Sequence, residues 1–291
     1  MSENTTPGSR EGQLVLALDT STASLAAALV RGDEVLRDIQ SLAERNHSVH
    51  TVSVVKELLS ECGIAPEELA GIAIGRGPGS YTGMRIAVSV GKTLAWVWQK
   101  PLVGVSSLEA LAYGAWQTGA DNASSVGANR PVWIVPIMDA RRGQVYTGTF
   151  EASAADVSSS SFPAAWKRLA KDGIRLMHDW VDRLAADVKE MDAASRPAAI
   201  WIVGELQLHE AEAERLRNLC PEVEVAAFPY ILEGRSVAAL GLSRLAAGES
   251  DDVHTFIPNY TQLTEAEVKL QERTASQQHN AVGGAGKHDG H

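Results

Sequence analysis

The chain has 291 residues, 45% of them apolar, enough for one large or two modest domains with cores of their own. Lys and Arg total 26 against 36 Asp and Glu, a net charge of −10, whereas polyphosphates are held by basic stripes, so the chain alone is a poor nucleic-acid binder. No apolar run reaches the roughly 20 residues that span a bilayer, and the start MSENTTPGSREGQ lacks a signal-peptide core. With Cys62 and Cys220 far apart in helix-like segments, as reduced thiols, this reads as a cytoplasmic protein with a frayed N-terminus at residues 1–12.

The first element is Leu14 to Asp19, an apolar run ending in a carboxylate, followed by the turn Thr20-Ser21-Thr22-Ala23. Ser24 to Val30 continues the sheet, Arg31-Gly32-Asp33 turns, and Glu34 to Ser41 alternates as a half-buried strand does. From His47, the residues Val52, Val55, Leu59 and Cys62 fall at helical spacing, and Gly63 stops the helix. Gly71 to Gly75 is a buried strand, followed by a Gly/Pro loop, a long helix from Tyr81 to Trp98 and a strand from Pro101 to Val105. The order is β-β-β-α-β-α.

The second half begins alike: Val132 to Asp139 ends in Asp, Arg141-Arg142-Gly143 turns, and Gln144 to Phe150 alternates. The Ala/Ser-rich stretch near 152–161 lacks periodicity and is expected as a surface insertion. Ala199 to Val203 is a strand, Leu208 to Leu219 a helix, Val223 to Ala226 a short strand, and Val237 to Ala247 a helix closed by Gly248. Two similar α/β units imply a duplicated fold, with boundaries placed at 13–110 and 111–267, and a disordered tail at 268–291.

Several motifs carry chemical meaning, each with a plainer alternative. A strand ending in Asp19 before a Thr/Ser turn suits a phosphate site, or a carboxylate and hydroxyls satisfying turn amides. The loop Gly75 to Gly83 exposes amides at a helix start, an arrangement that can cradle an anion. Gly91-Lys92-Thr93 lacks a glycine five residues earlier and lies within a helix, so it is no Walker loop. Pro78 stands where a serine hydrolase's elbow has its first glycine. His47 and His50 share a helix face without a third ligand, so exposed, capping histidines are the favoured reading.

Gly83, Ala87, Gly91 and Ala95 form a small-residue stripe along which a helix can approach closely, within the molecule or from another chain; packing on the sheet is the alternative. Arg141 and Arg142 beside Asp139 could grip a phosphate or carboxylate, a solvated turn being favoured. The tryptophans are dispersed, as in cores and interfaces.

Taken together, Leu18-Asp19-Thr20-Ser21, the run Gly75-Arg76-Gly77-Pro78-Gly79-Ser80-Tyr81-Thr82-Gly83-Met84-Arg85, Val103 to Ala110, Met138 to Tyr146 and Pro258-Asn259-Tyr260 resemble the TsaB family. The resemblance runs from about residue 13 to residue 267 and implies an actin-like, duplicated α/β fold. It implies a non-catalytic subunit that pairs with the threonylcarbamoyltransferase TsaD and is joined by the ATPase TsaE. Their reaction transfers threonylcarbamoyl from its adenylate to adenosine 37 of tRNAs reading codons that start with A, with tRNA met only through the complex.

The related TsaD segment reads Gly-Val-x-His-Leu-Glu-Gly-His, and its histidines hold the catalytic metal; here Ser107 and Leu111 occupy those positions, so no metal, cofactor or catalytic residue is expected. The Ile202 to Gln207 turn brings bulk and charge where actin-like ATPases close an adenosine pocket. The expected partner interface comprises His47, Val54, Leu58, Tyr81, Gly83, Met84, Ala87, Gly91 and Ala95, with homodimers when the partner is absent. The competing expectation is an actin-like phosphotransferase using Asp19 and Asp139, or a metallopeptidase-like enzyme acting alone.

Overall fold

The computed structural model describes residues 12–42, 47–119, 130–153 and 166–261, with the side chains of these residues except 42 and 47–49. The expected tails (residue 12 apart), the insertion from residue 154 onward and the His47 side chain lie outside the described residues. The elements below all belong to the compact unit that ends at Asn259.

The first sheet holds β1 (Leu14–Asp19), β2 (Ser24–Arg31), β3 (Glu34–Leu42), β4 (Gly71–Gly75) and β5 (Leu102–Val105) in the order β3-β2-β1-β4-β5. β1 pairs antiparallel with β2 and parallel with β4. As an inner strand covered on both faces, β1 is apolar at every position up to Asp19, the pattern that made it legible. Its alternate residues divide between two cores. Leu14, Leu16 and Leu18 face helices α1 (His47–Cys62) and α2 (Tyr81–Trp98). Val15 and Ala17 face the opposite way, against Val237, Ala238 and Leu240 of α6 (Gly234–Ala246).

The second sheet repeats this plan with β6 (Pro131–Asp139), β7 (Gln144–Ser153), β8 (Lys167–Leu176), β9 (Ala199–Gly204) and β10 (Glu224–Pro229), in the order β10-β9-β6-β7-β8. One face packs on α4 (Met177–Glu190) and α5 (Glu210–Leu219) through Val181, Leu184, Val188, Ala213 and Leu216. The other packs on α3 (Ser107–Gly119) through Ala112, Ala115 and Trp116.

Each half is thus β-β-β-α-β-α-β-α, and the last helix of each lies on the sheet of the other: α3 follows β5 but covers the second sheet, while α6 follows β10 but covers the first. This mutual cover and the repeated strand order are those of an actin-like fold in two subdomains. The halves meet through α3 and α6, where Leu108, Leu111 and Tyr113 join one core with Val237, Leu240 and Leu242.

Four elements add to the sequence-based order: a short 3-10 turn at Pro66–Glu68, α3, the edge strand β8 and the amphipathic α4. One face assignment is corrected. Val52 is exposed on α1, and Thr51, Val54 and Leu58 are buried beside the expected Val55 and Leu59.

The outer edge of β5 is closed by side chains rather than by a further strand. Asp251 accepts from the Gly104 amide at 2.7 Å and donates its own amide to the Leu102 carbonyl, and the Arg244 guanidinium donates to the Gly104 carbonyl. A free sheet edge is a template for association with another chain, and these groups occupy it.

Candidate functional site

The polar ends of β1 and β4 meet where an actin-like enzyme would bind its phosphates. Asp19 is fully buried: Oδ1 accepts from the Ser21 amide at 2.6 Å and Oδ2 accepts from the Ser107 hydroxyl at 2.5 Å. Burial pushes its carboxyl above the ordinary carboxylate range, against the lowering effect of those bonds. Ser107 Oγ in turn accepts from the Gly77 amide at 3.0 Å, so the first position of the TsaD-type ligand pair ties the Gly/Pro loop to β1. The second position, Leu111, is buried in the apolar core between the halves. Among the described residues no group of three or more His, Cys, Asp or Glu side chains could hold a metal ion.

The loop's amides point inward. Arg76 N–H donates to the Val105 carbonyl, Gly77 N–H to Ser107, Ser80 N–H to the Ser21 carbonyl and Gly83 N–H to the Ser80 hydroxyl. Thr20 completes the attachment: its hydroxyl donates to the Gly83 carbonyl at 2.6 Å and accepts from the Ala87 amide at 3.1 Å, inside the first turns of α2. This loop clamps a helix onto a strand, and four of its amides are engaged by the protein's own oxygens.

The matching corner of the second half is different. Asp139 is partly exposed, its carboxylate accepts from Nε2 of the buried His209 at 3.3 Å, and it has no Lys or Arg partner among the described residues. The Glu205 carboxylate accepts from the Asp139 amide at 2.8 Å. Leu206 is buried where a glycine-rich nucleotide turn would leave space. Arg141 and Arg142 adopt left-handed backbone angles, φ +66° and +54°, at the exposed tip of the β6–β7 hairpin, without an ion pair among the described residues.

The expected interface residues divide sharply. Tyr81 is 48% exposed, but Val54, Leu58, Gly83, Met84, Ala87, Gly91 and Ala95 are buried in the protein's own core. The small-residue stripe faces the first sheet: a Cβ on Gly83 would overlap the Thr20 carbonyl, and one on Gly91 would overlap the Ile74 side chain. These side chains therefore cannot form a partner surface, because the sheet already fills the space in front of them.

The opposite face of α2 is open. Tyr81, Arg85, Ser89, Thr93 and Val97 recur every four residues in one row, with Ile86, Val90 and Trp96 beside it. Trp96 and Val97 are each 58% exposed. Arg85 lies 4.0 Å over the Tyr81 ring, and a hollow of about 390 Å³ opens between Tyr81, Arg85, Ile86 and Val90. Large aromatic and aliphatic side chains left in water at a helix surface mark interaction sites. The signal for this row was present in the sequence as Tyr81 and Val97 among polar side chains at four-residue spacing, outside the apolar stripe.

Residues 39–270 match the family model of TsaD, tRNA N6-adenosine threonylcarbamoyltransferase. The tRNA threonylcarbamoyladenosine biosynthesis protein TsaB of Bacillus subtilis strain 168 is 35% identical over 255 residues, 88% of this chain and 96% of that one. Its Escherichia coli K12 namesake is 33% identical over 137 residues, 47% of this chain and 54% of its own. Among solved structures, a Pseudomonas aeruginosa protein described as similar to peptidase YEAZ superposes with a TM-score of 0.65 at 27% identity, covering 86% of this chain and 100% of that one.

Proposed function

The chain belongs to the TsaB family of tRNA threonylcarbamoyladenosine biosynthesis proteins, and on that premise we propose that it is the non-catalytic subunit that binds and activates the transferase TsaD, with TsaE joining the pair. The observation that carries this reading is the open face of α2. Trp96 and Val97 offer apolar area that no described element covers, in a protein whose buried Asp19 is bonded to Ser107 and whose Leu111 lies in the core. A helix of the partner laid along the Tyr81–Val97 row buries that strip, and the neighbouring exposed face of α1 widens the contact. Two copies of this chain pair through the same strip when the partner is absent.

Threonylcarbamoyl transfer then belongs to the partner, tRNA is met only in the assembled complex, and the site of action is the cytoplasm. Among the described residues no helix is long and apolar enough to cross a membrane.

The test is co-elution of the purified chain with the TsaD of the same cell, together with threonylcarbamoyladenosine formation by the reconstituted set. Trp96→Glu and Val97→Glu, at exposed positions, keep the melting temperature and abolish both pairing and modification. Wild-type pairing by the doubly substituted chain would sink the proposal.

A further inference from the structure

The turn after β9 and the end of β10 enclose a second open cavity of about 750 Å³, distinct from the α2 strip and built wholly from elements of the second half. Two aliphatic side chains from separate segments face it: Leu208, just before α5, is 77% exposed, and Ile231, just after β10, is 55% exposed. Exposure of that degree at two positions converging on one hollow is not required by the fold, since Leu206 beside them is buried and closes the core beneath.

The charges around the hollow are mostly negative. Asp139, Glu205 and Glu210 line it without a Lys or Arg partner among the described residues. Arg217, a cation on the same wall, is bound to Glu214 and to the Val225 carbonyl. A surplus of carboxylates above an apolar floor repels nucleotide phosphates and attracts a ligand that is both apolar and cationic.

We propose that this cavity is a docking groove for a short segment of a partner protein, one that sets an aliphatic or aromatic side chain between Leu208 and Ile231 and places lysine or arginine against Glu205 and Glu210. The apolar anchor supplies affinity and the unpaired carboxylates select the sign of the segment. The groove is independent of the reading given to α2, because no residue of that strip contributes to it.

The probes are fluorescent peptides built of leucine and lysine, of leucine and glutamate, and of leucine and serine, titrated into the full chain and followed by anisotropy. The leucine–lysine peptide binds, the other two bind at least about tenfold more weakly, and Leu208→Ser, Ile231→Ser and Glu210→Lys each weaken it by about tenfold. All three positions are exposed, so the variants keep the wild-type melting temperature. Glu190→Lys at the end of α4, an equal charge change elsewhere, leaves binding unaltered. Any of four results overturns the proposal: unchanged binding in the Leu208 and Glu210 variants, equal loss in Glu190→Lys, competitive displacement by ATP with magnesium, or a self-association in sedimentation that Leu208→Ser abolishes.

Discussion

Placing an alanine at Gly91 tests the assignment of the small-residue stripe to the protein's own core. The added methyl would sit 2.5 Å from Ile74 Cδ1 and closer still to its Cγ1, where carbon atoms normally rest at about 3.5–4.0 Å. Ile74 is fully buried in β4, an inner strand paired on both sides, so its backbone cannot retreat and its side chain has no empty space to enter. Overpacking of a tight core costs about 1–3 kcal/mol, and the upper end applies to so short a distance. Replacing a helical glycine with alanine returns about 1 kcal/mol. The net loss is about 2 kcal/mol, a fall in Tm of about 4–8 °C for a chain of this size. Leucine at the same place costs more, and Ser89→Ala on the open face of α2 changes stability by less than about 0.5 kcal/mol. Urea unfolding followed by tryptophan fluorescence measures the series on the isolated chain. A Gly91→Ala protein as stable as wild type, yet unable to pair, would mean that the stripe faces a partner and that the core assignment is wrong.

The buried carboxyl of Asp19 predicts a pH dependence. Because burial raises its pKa above the ordinary 3.8, the native state holds this proton more tightly than the unfolded chain, and the stability it confers is fully present below 3.8 and declines as pH rises through the folded-state value. Asp19→Asn removes that decline, so the variant gains on wild type in chemical denaturation between pH 4 and pH 7; a larger deficit at pH 7 than at pH 4 would refute the assignment. Ser107→Ala leaves both Asp19 Oδ2 and the Gly77 amide without their partner, and calorimetry should record a loss of about 2–4 kcal/mol from two unsatisfied buried groups. Arg244→Ala uncovers the Gly104 carbonyl on the β5 edge, costing about 1 kcal/mol and promoting association on mild heating, read by light scattering.

Strand and helix boundaries were legible where one element has a single environment. β1 is apolar throughout because both its faces are covered, and α2 begins after Ser80 and ends at Trp98 as its composition indicates. α4 shows its buried face in Trp180, Val181, Leu184, Ala185 and Val188, a readable helical pattern that the adjoining aperiodic insertion obscured. β8 escaped notice for a different reason: as an edge strand it is half-exposed, and Lys167 to Leu176 lacks the β-branched alternation of a covered strand. Most of the residues expected at an interface are buried because apolar and small side chains identify whatever surface is most tightly packed, and in α1 and α2 that surface lies in the protein's own core. The open face of a helix already anchored elsewhere contains a mixture such as Tyr81, Arg85, Ser89 and Trp96, which resembles ordinary solvent-facing composition. That Ser107 and Leu111 are not imidazoles is plain from the sequence, and only the structure shows the serine fastening β1 to the glycine loop.

The exchange of α3 and α6 between the sheets also orders events during synthesis. The face of the first sheet formed by Val15, Ala17, Ala73 and Val103 has no cover until α6 emerges, although β5 ends at Val105. At about 5–20 residues per second, translation from Val105 to Ala246 takes roughly 7–28 s. Throughout that interval the nascent N-terminal half presents a bare apolar sheet while holding, in α3, the cover for a sheet not yet made. Each sheet therefore acquires its full cover only when the other half of the chain is present.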